Sequence, residues 1–477
     1  MQYSIVNLIV VKENIDFRYE PEFWLPNYIE EEYQLAQIKT VPLSECVVFS
    51  NGRAFESKEF SIDGEIFISK IGDVTQKRDF YLWEKVQKNH FKELNAKYLE
   101  HNDILMTLTG DPPDVGKVQL IFNPPKEKVS WNQRVALLRL KEQDNISSSE
   151  FLFVALSSKY CRDHIERWAK GIRQRNVGNP AVLSMAIPVL PKLQNTLTEL
   201  VVKSYELLEK SKSLYFQAEQ LLLSELGLLN WKPKYELSFV KNFSNTQESD
   251  RFDAEYFQPK YEEIIEVVRK YNGGNDELGK LVKIKKSVEP GSDAYQESGI
   301  PFVRVSNLSK FGLTNNNQQF ISKELYKELE SYQPEEGEIL LSKDATPGIA
   351  YFLNENPQNM IVSSGILKLK INNKQVLPEY LNLVLNSVVV QKQIERDSGG
   401  SIINHWRPDQ VKATLIPILS QDKQKEIKEL VGQSFNDREL SKTLLEIAKR
   451  GVEMAIEQDE QVAKEWISRE TKKSSSL

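Results

Sequence analysis

The chain has 477 residues, 40% hydrophobic and 27% charged, with 62 Lys and Arg against 68 Asp and Glu for a formal net charge of −6; that is material for about three domains with buried cores. No stretch approaches the roughly 18 consecutive apolar residues of a membrane-crossing helix, and two cysteines, Cys46 and Cys161, cannot build a disulfide framework or a thiolate zinc site alone. The start, Met1-Gln2-Tyr3-Ser4-Ile5, lacks the basic region of a secretory signal, so the expected compartment is the cytoplasm.

In chain order, the first signals are short β-like runs bounded by turn formers, at residues 65–69 and 103–108. A helix follows, opened by Ser147-Ser148-Ser149-Glu150, which has the capping-box spacing, and it stops near Gly171. A longer helix then runs from Leu193 to Leu226, with Leu197, Leu200, Val201, Leu208, Tyr215, Ala218 and Leu222 mostly at three- and four-residue steps. Residues 230–250 read as a linker. Beyond it the order repeats: strand-like runs at 301–305, 338–342 and 365–371, a helix opened by Pro378-Glu379 and stopped near Gly399-Gly400, then a second long helix after Ser420. That helix carries Ile427, Leu430, Val431, Leu444, Ile447, Ala448, Val452, Ala455 and Ile456. Each long helix spans more than 30 residues, roughly 50 Å at 1.5 Å per residue. Each has two packings open to it, against its own domain or against the other helix, and the length favours mutual pairing along one seam.

The repetition extends to residue identities. Arg18 to Tyr28 is echoed by Arg251 to Tyr261, Asp103-Ile104-Leu105 by Glu338-Ile339-Leu340, and Val115-Gly116 by Pro347-Gly348. Residues 151–188 align with 380–417 without a gap at an offset of 229, sharing 10 of 38 positions, where unrelated sequence gives about two or three. The identities are Leu152/Leu381, Leu156/Leu385, Ser158/Ser387, Ile165-Glu166-Arg167/Ile394-Glu395-Arg396, Gly171/Gly400, Val182/Val411 and Ile187-Pro188/Ile416-Pro417. A period near 230 residues is far longer than that of a solenoid. It marks a duplicated domain, hence two diverged versions of one site.

The twice-repeated order of β-rich module, short helix, glycine loop, Ile-Pro, Gln and long helix resembles the DNA-specificity subunit of type I restriction-modification systems. The motifs that carry the likeness are Ile187-Pro188 with Pro191, Gln194 and Leu197, Ile416-Pro417 with Gln424 and Ile427, and Arg251-Phe252-Asp253-Ala254-Glu255-Tyr256. The second copy lacks the second proline and has Ser420 nearby; the first has Lys192-Leu193 where acidic residues are common in the family. The resemblance implies an α+β fold, with two β-rich target-recognition domains separated by two long antiparallel helices forming a coiled coil. The implied boundaries are recognition domains at 1–190 and 250–418, long helices at 191–229 and 419–470, a linker at 230–249 and a disordered tail at 471–477. Each domain would read one half of a split, asymmetric site in double-stranded DNA, with the helices as the ruler. The implied partners are methyltransferase (modification) subunits and a restriction/translocase subunit. The chain itself would carry no cofactor, since S-adenosylmethionine, ATP and Mg²⁺ belong to those partners.

Charge is segregated along the sequence. Lys159, Arg162, Arg167, Lys170, Arg173 and Arg175 crowd 17 residues with only Asp163 and Glu166 against them, whereas the region from Glu453 to Glu470 is acid-rich. Within the run, Gly171, Arg173, Gln174, Arg175 and Asn176 are candidate DNA contacts: Arg bonds guanine, and Gln or Asn adenine, in pairs, and Gly171 and Gly178 let backbone approach phosphate. A solvated basic loop is the plain alternative. The second copy offers Asn404, His405 and Arg407, with Trp406 open between core packing and a base contact. Lys283, Lys285 and Lys286, with Arg304, Ser306 and Asn307 after a strand, suit phosphate contact or a charged sheet edge. Ser50, Asn51 and Arg53 share that ambiguity. Arg167 and Arg396, recurring with Glu166 and Glu395, read as structural. Leu197, Leu200, Leu208, Leu222, Ile427, Leu430, Leu444 and Ile456 are the candidate partner-binding positions of the seam.

Enzyme motifs find little support. Asp111-Pro112-Pro113-Asp114 and Asn123-Pro124-Pro125-Lys126 lack the aromatic residue that stacks on a flipped base. Pro408-Asp409 with Glu426-Ile427-Lys428 falls in a turn and a helix, not on the adjoining strands of a Mg²⁺ nuclease. The stretch from Gly110 to Lys117 lacks the phosphate-loop spacing, and four scattered histidines suggest no metal site. The reading is a non-catalytic, bipartite DNA-binding subunit. Two alternatives stay open: the equivalent subunit of a type II system with a fused nuclease-methyltransferase partner, and a coiled-coil interaction scaffold that does not touch DNA.

Overall fold

The computed structural model describes residues 6, 11, 18–87, 98–126, 128–315, 317–398 and 404–474. The chain divides into two compact units, Met1–Leu208 with Arg438–Leu477, and Glu209–Asp437, so each unit takes part of both long helices.

In the first unit a four-stranded antiparallel sheet has the order Val47–Asn51, Val135–Leu140, Ile104–Thr107, Val118–Leu120. Ile104–Thr107 is buried throughout, as befits an interior strand covered on both faces. A second sheet places Ile66–Ser69 between Glu84–Val86, antiparallel to it, and Lys128–Trp131, parallel to it. Two small pairings finish the frame: Thr40–Pro42 with Ala186–Pro188, and Thr109–Gly110 with Arg175–Asn176.

The second unit repeats this plan. Its four-stranded sheet runs Val282–Lys285, Ile366–Ile371, Glu338–Ser342, Ala350–Phe352. Ile300–Val303 lies between antiparallel Gln319–Ile321 and parallel Ile361–Val362. Asn275–Glu277 pairs with Leu415–Pro417, and Asp344–Ala345 with Asn404–His405.

The short helix expected in each copy is a pair of helices broken at a serine. Ser149–Ser157 is followed by Lys159–Trp168, and Pro378–Asn386 by Val388–Asp397. At the breaks Ser158 and Ser387 are extended, and their hydroxyls donate to the carbonyls of Ala155 and Val384 at 2.6 and 2.7 Å. The first helix is capped one residue later than the capping-box spacing suggests. Ser148 Oγ accepts from the Phe151 amide at 3.0 Å, while Glu150 accepts from Asn102.

The residues shared by the copies are mostly frame residues. Leu152, Leu156, Val182 and Ile187, with their counterparts Leu381, Leu385, Val411 and Ile416, are buried core. Gly116 (φ +73°) and Gly348 (φ +93°) let the chain pass against Ile165 and Ile394; a Cβ at either would come within 2.5 and 2.4 Å of those side chains. Arg167 lies 4.2 Å over Phe23 and Arg396 5.1 Å over Tyr256, which explains the echo of Arg18 to Tyr28 in Arg251 to Tyr261. Gln194 and Gln424 are both buried and make the same two bonds. Their carbonyls accept from the amides of Ser147 and Leu377, and their NH₂ groups donate to the carbonyls of Asn145 and Gln375. Each glutamine thereby ties the start of a long helix to the approach of a short one.

The long helices are Gln194–Glu225 and Gln421–Glu457. They pair antiparallel. In the first unit Ser204 Oγ donates to the Ser441 carbonyl at 2.8 Å; in the second, Ser434 Oγ donates to the Ser211 carbonyl at 2.7 Å and Lys210 pairs with Asp437 at 2.9 Å. The second helix does not continue to residue 470 as expected. It stops at Glu457, and the Asp459 carboxylate accepts from the amides of Gln461 and Val462 to open a separate helix, Glu460–Ser474. The tail expected from residue 471 is therefore helical through Ser474, and residues 475–477 lie outside the described residues. Cys46 and Cys161 are free and buried, and burial pushes their thiols up to about 11 and about 12. No helix among the described residues is long and apolar enough to cross a membrane.

Candidate nucleic-acid interface

Near the end of each module a two-residue pairing carries several of the candidate side chains. In the first copy Lys170 and Asn176 exchange two backbone hydrogen bonds of 2.8 Å, closing a loop over residues 171–175. Gly171 sits at φ +114°, and a Cβ there would lie 2.2 Å from the Gln174 carbonyl oxygen, so the turn requires glycine. Thr109 Oγ1 donates to Asn176 Oδ1 at 2.6 Å, and the amide of buried Val177 bonds the Leu108 carbonyl. The loop is thus held at its neck, and Ile172, Arg173 and Gln174 stand exposed at its tip. Arg175 is half-buried and reaches back to Glu166 at 3.5 Å.

The six-cation run does not form one patch. Lys159 pairs with Glu457 at 2.6 Å, and Arg162 donates to the carbonyls of Val115 and Pro113. Arg167 is buried, bonded to the Phe23 carbonyl and Glu32. The cause is helical phase: successive residues of Lys159–Trp168 turn by about 100°, so a cluster in sequence is scattered in space.

In the second copy Asn404 and His405 occupy the positions of Arg175 and Asn176 and are exposed. His405 Nδ1 lies 2.8 Å from Asp344 Oδ1, at the position where Thr109 meets Asn176. Burial raises the Asp344 carboxyl, but hydrogen bonds from Lys343 and His405 outweigh it and hold the group below the usual carboxylate range. Trp406 is core, 1% exposed, with its amide bonded to the Lys343 carbonyl. Arg407 is exposed beside Asp409 at 3.2 Å. Gly399 and Gly400 lie outside the described residues.

Other candidates are placed less favourably. Asn307 is fully buried, accepting from the Arg304 amide at 3.0 Å and donating to the Thr314 carbonyl at 3.1 Å; its amide is spent on a turn and is not presented to a ligand. Arg304 is half-buried and donates to the Asn317 carbonyl, whereas Ser306 is exposed. Lys285 lies 3.5 Å from both Glu335 and Glu338, and Lys370 lies 2.7 Å from Glu335. Lys283 and Lys286 are exposed, on and just beyond the edge strand Val282–Lys285. Arg53 pairs with Glu59 at 3.0 Å, and Asn51 is exposed. The seam positions are turned inward. Leu197, Leu200, Leu222, Ile427, Leu444 and Ile456 are buried in the chain's own cores, and Leu208 and Leu430 are partly buried. The six buried positions are thus packed inside the chain and not presented at a partner surface, whereas Leu208 and Leu430 keep part of their surface open. No sequence motif points to Thr109, Asp344 or Ile172; the first two become visible through the strand pairing.

The sequence model of the type I restriction modification DNA specificity domain matches the chain twice, over residues 37–196 and 273–449. A comparison with curated proteins finds no match. Among solved structures the chain is similar to a type I restriction-modification S subunit from M. genitalium, at 14% identity and TM-score 0.40, covering 88% of this chain and 94% of that one. It is also similar to the HsdS subunit from Thermoanaerobacter tengcongensis, at 16% identity and TM-score 0.27, covering 88% and 97%. A third similar structure is the type IIG restriction endonuclease BpuSI, at 11% identity and TM-score 0.26, covering 72% and 43%. With the family's domain matched in both copies and over well more than half of its residues, this chain belongs to the type I restriction modification DNA specificity family.

Proposed function

We propose that the chain is the non-catalytic subunit that sets the DNA target of a restriction-modification complex. Each module reads one half of a bipartite, asymmetric site, and modification and restriction subunits assemble on the chain. One observation carries this reading. The same two-residue pairing recurs on the same frame with different exposed chemistry, Thr109 and Asn176 in one copy and Asp344 and His405 in the other. Identical readers would favour a palindrome; a shared frame with unlike readers suits two unlike half-sites. The Pro112-Pro113 string supports a structural role for that segment, since its turn supplies the carbonyl that Arg162 binds. Glu426 and Lys428 lie on the second long helix, where Lys428 pairs with Glu379 at 3.1 Å.

The test is to co-express the chain with its modification subunit and map methylated bases across the host genome. The expected motif has two dissimilar halves around an unread spacer, and replacing residues 250–418 with those of a homologue changes one half only. A palindromic motif, or a swap that alters both halves, overturns the proposal.

A further inference from the structure

We infer that Ile172 is a specificity-determining residue whose side chain meets the 5-methyl group of a thymine in the half-site read by the first module. The inference rests on the DNA-reading function proposed above and goes beyond it by assigning one base feature to one side chain.

Ile172 is 95% exposed. A β-branched apolar side chain standing that far into water gains nothing for the fold, since its burial is what would stabilise it. The loop beneath it is held at both ends by the Lys170–Asn176 backbone pair, by the Arg175–Asn176 pairing with Thr109–Gly110, and by the glycine conformation at 171. The side chain is therefore presented by an anchored scaffold.

Its immediate neighbours set the class of partner. Arg173 and Gln174 are exposed beside it, a cation and an amide that suit an anionic surface studded with hydrogen-bonding groups better than an apolar protein groove. Both residue types make paired bonds to purine edges in the major groove, which is wide enough for a two-stranded ribbon. Among the base edges in that groove, the apolar feature is the thymine methyl. An apolar group directly preceding two purine-reading side chains, Arg173 and Gln174, thus has one natural counterpart there. A wedge between stacked bases, the other known use of an exposed isoleucine on DNA, does not distinguish thymine from uracil, so the two roles separate experimentally.

The experiment is selection from a randomised duplex pool by the chain assembled with its modification subunit, using pools made with thymine or with uracil in its place. Wild type and Ile172→Ala are compared, with Ile172→Val as the conservative variant. The wild type is expected to prefer thymine at one position of one half-site, with about a fourfold loss on going to uracil, the worth of one buried methyl-sized group. Ile172→Ala should lose the thymine-over-uracil preference at that position and keep the remainder of the motif, while Ile172→Val retains it. If Ile172→Ala selects the wild-type motif with every thymine preference intact, the inference is overturned and the DNA-reading function stands. The same holds if it loses affinity on both pools equally, as a wedge would. If the wild type selects no motif from either pool, the underlying function fails and takes this inference with it.

Discussion

Gly116 and Gly348 show how a single missing side chain holds each module together. Both occupy left-handed backbone, and both sit where Ile165 or Ile394 packs from the helix after the serine break. Replacing either with Ala adds the left-handed penalty, about 1–2 kcal/mol, to the strain of forcing a methyl into a filled core, about 1–3 kcal/mol. Gly116→Ala and Gly348→Ala are each expected to lower the unfolding free energy by about 2–5 kcal/mol in urea titration. A loss under about 1 kcal/mol would mean that neither the left-handed backbone nor the packed isoleucines resist the added methyl. The echo of Val115-Gly116 in Pro347-Gly348 made these positions visible in the sequence, because duplication preserves what packing demands. Asn307 was not legible in the same way. A polar residue after a strand has the composition of a reader whether its amide faces solvent or, as here, closes a turn through the Arg304 amide and the Thr314 carbonyl.

At the scale of elements, the seam between the long helices is legible from its three- and four-residue steps, but its small polar centre is not. Ser204 with Ser441, and Ser211 with Ser434, are buried pairs spaced seven residues apart on each helix. The serines let the helix backbones approach closely enough for a hydroxyl to reach the opposite carbonyl. Ser204→Ala keeps the small volume and loses two buried hydrogen bonds, to the Ser441 carbonyl and hydroxyl, an expected cost of about 1–3 kcal/mol. Ser204→Leu must push the helices apart and is expected to cost about 2–3 kcal/mol. Thermal unfolding of the full chain measures both, and a leucine variant more stable than wild type would show that the pair is a polar flaw in an otherwise apolar seam. The same geometry explains why the cation run misleads. Helical phase sends Arg162 to loop carbonyls and Arg167 to the rings of Phe23 and Trp24, leaving the loop tip to present what remains.

For the whole molecule, the serine register dictates how the proposed ruler has to be tested. Because residues 204 and 211 of one helix meet 441 and 434 of the other, lengthening one helix alone would shift one serine pair out of register. A matched change keeps both pairs: one heptad inserted between Leu207 and Leu208, and one between Asp437 and Arg438. Seven residues add about 10 Å of helix at 1.5 Å per residue, or about three base pairs at 3.4 Å each. If the helix pair sets the distance between half-sites, the methylation map of the double-insertion chain shows the same half-site bases with a spacer about three base pairs longer. A single heptad in one helix should instead lower thermal stability and methylation together, since it breaks the seam. An unchanged spacer in a folded, methylation-competent double insertion would move the ruler out of these helices and into the modules or the partner subunits.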